Sequence, residues 1–98
     1  KDSCIKYYFL ALNQFKKNNN QEGIARVSNN LGTLYADYNF NKSVYYYNNS
    51  LKIAQKLNLK YLIAGYHMNI STLFSRKKQY KKALIHLYKA LPIFKELK

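Results

Sequence analysis

The sequence predicts an all-α fold, a right-handed α-α superhelix in which about five helices stack as antiparallel pairs. Three observations carry that expectation. The stretch IARVSNNLGTLY at 24–35 returns as IAGYHMNISTLF at 63–74, with Ile24/Ile63, Ala25/Ala64, Asn30/Asn69, Thr33/Thr72 and Leu34/Leu73 identical at an offset of 39. A second echo runs through LALNQFKK, NSLKIAQKL and KALPIFKEL, where Leu12, Leu51 and Leu91 stand 39 and then 40 residues apart. Within each stretch the apolar residues fall three and four apart, the spacing of one helix face. A unit of this length present two and a half times marks a stacked array.

The elements follow in order. Ile5, Tyr8, Phe9 and Leu12 predict a first helix over 2–17, apolar on more than one side. NNNQEG at 18–23 breaks it. Ile24, Val27, Leu31, Leu34 and Tyr38 predict a second helix over 21–38, ended around Asn39 to Asn41. Leu51, Ala54 and Leu57 place a third over 41–57, stopped at Asn58. Ile63, Tyr66, Ile70, Leu73 and Phe74 place a fourth over 60–77, and the charged RKKQYKK at 76–82 turns the chain. Leu84, Leu87, Leu91 and Phe94 predict a fifth over 80–97. Pro92 is expected to kink or loosen that helix without ending it, since it lacks an N–H and crowds the carbonyl four residues back. Asparagine suits these breaks because it both caps helix starts and tolerates the left-handed region. Short turns force neighbouring helices to run antiparallel. The chain therefore divides into the second helix of a partial repeat (1–20) and two full repeats (21–59 and 60–98), as a single domain expected to be a piece of a longer array.

Composition narrows the function. No apolar run approaches a bilayer span, and no signal peptide is visible. The lone Cys4 excludes an internal disulfide and is expected to be a small core residue. The net charge is +13, but fifteen of the seventeen basic residues are Lys. Phosphate and base recognition leans on Arg forks, so the Lys bias counts against nucleic acid without removing it. His67 and His86 lie 19 residues apart with no Cys or carboxylate at ligand spacing, so no metal site is expected. Asp2, Glu22, Asp37 and Glu96 are scattered, and none pairs with a His as a general base requires. No glycine-rich phosphate loop is present. No enzyme activity and no cofactor are expected.

These residues resemble the tetratricopeptide repeat family, whose two-helix unit sets small and aromatic residues at fixed places. Gly32 then Tyr35, and Ser71 then Phe74, match its first helix. Phe40, Ser43, Tyr47 and Ser50 match its second, as do Tyr80, Ala83, Leu87 and Ala90; Cys4, Tyr8 and Ala11 match it in the opening helix. Small residues stand where two backbones approach and aromatics fill the gaps beside them. The resemblance covers essentially the whole chain. It departs at Ser43 and Ser50, where Ala is usual, and in a turn one residue short between Tyr35 and Ser43. The form with a longer repeat is similar to those of bacterial signalling proteins, which implies a sensing or docking role in regulation.

In such a stack the first helix of each pair lines a concave face. Spacing then points Arg26, Asn29, Asn30, Thr33 and Asp37 into the groove from one repeat, and Gly65, Met68, Asn69, Thr72 and Arg76 from the next. The resemblance implies that Asn30 and Asn69, one per repeat, grip the main chain of an extended peptide. The plainer alternative is that each amide bonds to a neighbouring helix. Asn29 and Met68 stand where the family's carboxylate clamp wants Lys, so that clamp is not matched. Arg76, Lys77, Lys78, Lys81 and Lys82 form a basic patch around one turn, a solvated knuckle unless an acidic partner meets it. Most tyrosines are expected to pack in the core or at its rim.

The reading as a whole is a non-enzymatic interaction module holding a protein or peptide segment in its groove. The alternatives are nucleic-acid or acidic-partner binding through the basic surface, and self-association as a homodimer through the uncapped end helices. A cytoplasmic location is expected, with an extracytoplasmic sensor domain as the alternative.

Overall fold

The computed structural model describes residues 2–97, with side chains from residue 4 onward, so the side chain of Asp2 lies outside the description. Five α-helices follow one another: α1 Asp2–Lys17, α2 Gln21–Tyr35, α3 Phe40–Leu57, α4 Lys60–Arg76 and α5 Tyr80–Leu97, with no strand among the described residues. Each helix packs on its neighbours in the chain, and beyond them α2 touches α4. The result is a slab of 38 × 31 × 19 Å.

The turns explain the segmentation. Asn19, Asn58 and Lys78 take left-handed backbone (φ 54°, 55° and 62°). After each, the next N–H reaches the carbonyl five residues back: Asn20 to Phe15 and Leu59 to Ala54 at 2.8 Å, and Gln79 to Phe74 at 2.9 Å. This is the helix closure that a left-handed residue permits. Asn20 then caps α2 by accepting from the Gly23 N–H at 2.9 Å.

The turn between α2 and α3 is built differently and corrects the expected boundaries. α2 ends at Tyr35, not 38, because Ala36 N–H tightens onto Thr33 O (3.2 Å) and Asn39 N–H returns to Tyr35 O (2.8 Å). Asn39 accepts from the Lys42 N–H at 3.1 Å and so starts α3 at Phe40, one residue early. α4 likewise stops at Arg76 rather than 77. α5 continues through Pro92 to Leu97.

The core is a series of layers, with no single centre. Leu12, Val27, Leu31 and Tyr35 join α1 to α2; Tyr47, Tyr66, Ile70 and Leu73 join α3 to α4; Ala25, Ala54 and Leu62 fill a third layer. The small residues sit where the helices approach most closely. A Cβ on Gly32 would come within 2.5 Å of the Tyr47 ring. Ser43 Oγ donates to Gly32 O at 2.6 Å, and Ser71 Oγ donates to Ala83 O at 2.8 Å. The same crossing thus recurs in both repeats with the serine moved from one helix to the other, which accounts for the departure at position 43.

Cys4 is free and exposed, against the expectation of a core place. The reason is positional. Its equivalents Ser43 and Ala83 are buried under α2 and α4, the first helices of their pairs. No helix among the described residues covers α1 in that way. The far side of α5 is open too, with Leu84, Leu91 and Phe94 between 40% and 47% exposed.

Candidate functional site

α2 and α4, whose sequences repeat each other, are joined by two side-chain bonds, and a third links the end of α4 to Asp37, just past the end of α2. Tyr61 OH donates to Glu22 Oε2 at 2.5 Å, Asn69 Nδ2 donates to Asn29 Oδ1 at 3.0 Å, and Arg76 Nη1 donates to Asp37 Oδ1 at 2.7 Å. The partners lie 39, 40 and 39 positions apart, so corresponding turns of successive repeats hold each other. The rungs fall seven or eight residues apart along α2, about two helical turns.

Beside the last two rungs opens a hollow of about 220 Å³. Its polar lining is Thr33, Asp37, Tyr47, Asn69, Thr72 and Arg76. Thr33 Oγ1 lies 3.2 Å from Asn29 O and 2.9 Å from Tyr47 OH, while Thr72 Oγ1 donates to Met68 O at 3.1 Å. The threonines therefore return one bond to their own helix. Burial raises the Tyr47 phenol above its usual range, against hydrogen bonds from Thr33 and Ser43 and the nearby Arg76 charge. The hydroxyl stays protonated and can both donate and accept. At the opposite end Arg26 stands 6.0 Å over the Tyr61 ring. There the hydrogen bond to Glu22, more than burial, raises the Tyr61 phenol.

Five of the groove residues expected from spacing thus meet around one hollow: Thr33, Asp37, Asn69, Thr72 and Arg76. Asn29 joins them through Asn69. Arg26 belongs to the other end, beside Glu22. Met68 is exposed and outside the hollow's lining, and a Cβ built on Gly65 would meet no atom within 4 Å. Asn30 is exposed, and the amide that meets Asn69 is that of Asn29. Of the basic patch, Lys77 and Lys82 stand over the rings of Phe40 (4.9 Å) and Phe74 (5.5 Å), while Lys78 and Lys81 are exposed.

Three participants escaped the sequence. Tyr47 and Tyr61 fall there among the tyrosines expected to pack in the core or at its rim, and Glu22 among the scattered acids. The signal was available: Glu22/Tyr61 and Asp37/Arg76 are complementary pairs at the repeat offset.

The histidines also meet. His67 Nδ1 on α4 and His86 Nδ1 on α5 are 2.9 Å apart. The ring centroids are 5.2 Å apart, farther than the nitrogens, so the rings confront each other edge to edge. Phe74 stacks on His86 at 5.8 Å, and Tyr66 abuts both imidazoles. Burial first, then His86 and Lys89, depress His67 to about 4; burial and Lys89 lower His86. Among the described residues no group of three or more His, Cys, Asp or Glu is placed to hold a metal ion. No described helix is long and apolar enough to cross a membrane.

No family model matches the chain, and no solved structure matches it. The chain is similar to response regulator aspartate phosphatase I of Bacillus subtilis (strain 168), with 37% identity over 67 residues. The match covers 68% of this chain but 17% of that protein, so the chain spans a small part of the relative's length.

Proposed function

We propose that this chain is a protein-interaction module of a bacterial regulatory protein, an array of tetratricopeptide type that holds an extended peptide or partner segment along the α2–α4 face. Its three parts are the second helix of a partial repeat (1–20) and two full repeats (21–59 and 60–98). The observation that carries this reading is the hollow lined together by Thr33, Asn69, Thr72 and Arg76, which come from both copies of the repeated stretch. Amide and hydroxyl groups that both donate and accept suit a peptide main chain, whose N–H and C=O recur whatever its sequence. The name of the similar Bacillus protein makes a response regulator a reasonable first partner to test. On this reading the part of such a protein represented here binds and does not itself catalyse, and it works in the cytoplasm.

In the free chain Asn69 is engaged by Asn29 and Arg76 by Asp37. A peptide enters by exchanging those bonds; the Arg76–Asp37 pair is exposed and costs little to open, whereas the Asn29–Asn69 pair is half-buried and its amides must be satisfied again by the peptide. The test is selection of binders from a random peptide library displayed on phage. Peptides selected by the natural chain should lose at least fivefold affinity for N69A and for R76A while helicity by circular dichroism is unchanged. Equal capture by the natural chain and both variants would remove the groove from consideration.

A further inference from the structure

At the end of the slab where α2 and α4 finish and α3 and α5 begin lies a hollow of about 470 Å³, walled in part by Asn39, Phe40 and Lys77 and sharing Ala36, Asp37, Leu73 and Arg76 with the smaller hollow of the groove. Three exposed lysines at this end stand over aromatic rings. Lys42 Nζ stands 5.1 Å over the Tyr35 ring, Lys82 Nζ 5.5 Å over Phe74, and Lys77 Nζ 4.9 Å over Phe40. The first two are one contact made twice, since Tyr35 and Phe74 are 39 apart and Lys42 and Lys82 are 40 apart. The repeat therefore builds a row of ammonium groups held by the faces of aromatic rings, and it does so on the turn edge, away from the Asn29–Asn69 rung. Holding a long side chain in place before a partner arrives removes part of the ordering cost of binding. Asp37, the acid at this edge, is already paired with Arg76 at 2.7 Å.

We propose that this edge docks an acidic protein segment carrying one apolar side chain. Its carboxylates lie on Lys42, Lys77 and Lys82, and its apolar residue enters the hollow against Phe40 and Leu73. A nucleic acid fits less well. The rings that would stack bases already lie under lysines and in ring pairs, Tyr35 with Tyr46 at 5.7 Å and Phe40 with Phe74 at 6.1 Å. The arginine fork at this edge faces Asp37, and a phosphate backbone brings nothing apolar for the hollow.

Fluorescence anisotropy with a labelled peptide of alternating Asp and Glu around one central Leu tests this, with oligothymidylate of equal charge as the competing probe. The peptide should bind the natural chain and lose about tenfold in affinity for K77Q/K82Q. It should lose less than twofold for K16Q/K17Q, which lowers the net charge equally at the opposite end of the slab. F74L, which removes the ring beneath Lys82 without changing charge, should weaken binding about threefold; helicity and urea midpoint check that it still folds, and K77Q/K82Q carries the test if it does not. Equal losses for the two double variants, tighter oligothymidylate binding at the same salt, or undiminished binding when the central Leu is Gly would each overturn the proposal.

Discussion

Ser50 is buried and its Oγ has no hydrogen-bond partner. Its neighbours in the motif are better served, because Ser43 and Ser71 each donate to a carbonyl of the facing helix. The equivalent of Ser50 in the next repeat is Ala90, fully buried and without a polar atom to satisfy. S50A should therefore stabilise the fold by about 1 kcal/mol, read as a higher urea midpoint at unchanged slope. The glycines split in the same way. Gly32 lies under the Tyr47 ring, so G32A forces a packed aromatic aside and should cost about 1–3 kcal/mol. Gly65 faces open space inside α4, so G65A should gain about 0.5–1 kcal/mol from helix propensity alone. Urea titration of the two variants side by side checks both signs.

Between elements, the joint that responds to pH is the one between α4 and α5. A neutral pair at 2.9 Å is held by one Nδ1–H donating to the other Nδ1, and two protons have no room on the facing nitrogens. Both folded-state pKa values lie below the ordinary 6.5, that of His67 at about 4. As pH falls, the unfolded chain takes up these protons first. The pair's contribution to stability is thus full above about 6.5 and is lost progressively as pH falls toward about 4. Urea midpoints measured from pH 7.5 to 4 should fall more steeply for the natural chain than for H67Q/H86Q. The difference between the two curves isolates the histidines from the rest of the chain. This joint shows where reading the sequence reaches its limit. The helices were legible because asparagines and apolar spacing act locally, and five of the expected groove residues share one hollow because α2 and α4 repeat each other at an offset of 39. The His67–His86 contact depends on how α4 and α5 are rotated about their axes, which spacing along each helix leaves open. The same rotation sets Asn29, not Asn30, opposite Asn69. Tyr35 ends α2 for a related reason: Ala36–Tyr38 prolong the apolar pattern, but Asn39 gives its side chain to the start of α3.

At the scale of the whole molecule, the groove helices differ from the others in charge. The basic residues of α2 and α4 are only Arg26, Lys60 and Arg76, beside one acid, Glu22, and the other described lysines lie on α1, α3, α5 and the 77–79 turn. The +13 charge is thus carried mainly away from the groove, which leaves the groove to hydrogen bonds and the turn edge to acidic partners.

The open side of α5 offers a test of whether the molecule is additive along the stack. Leu84, Leu91 and Phe94 repeat the positions of Val44, Leu51 and Ala54, and those three are packed beneath α4 or its flanking residues. Their own exposure of 40% to 47% marks the same face left uncovered. In an array each added unit contributes its interface with the last, so a helix of the α4 pattern placed on this face should fold there. Joining a second copy of residues 58–76 directly after Leu97 supplies that helix with its own left-handed Asn turn. The extended chain should show a higher urea midpoint, and the added residues should appear as helix in circular dichroism. L84K/L91K should abolish both gains, because two lysines would then be buried in the new interface without partners. An appended segment that stays unfolded, or a midpoint that does not move, would mean that α5 closes the stack and that the equivalence with α3 ends at its sequence.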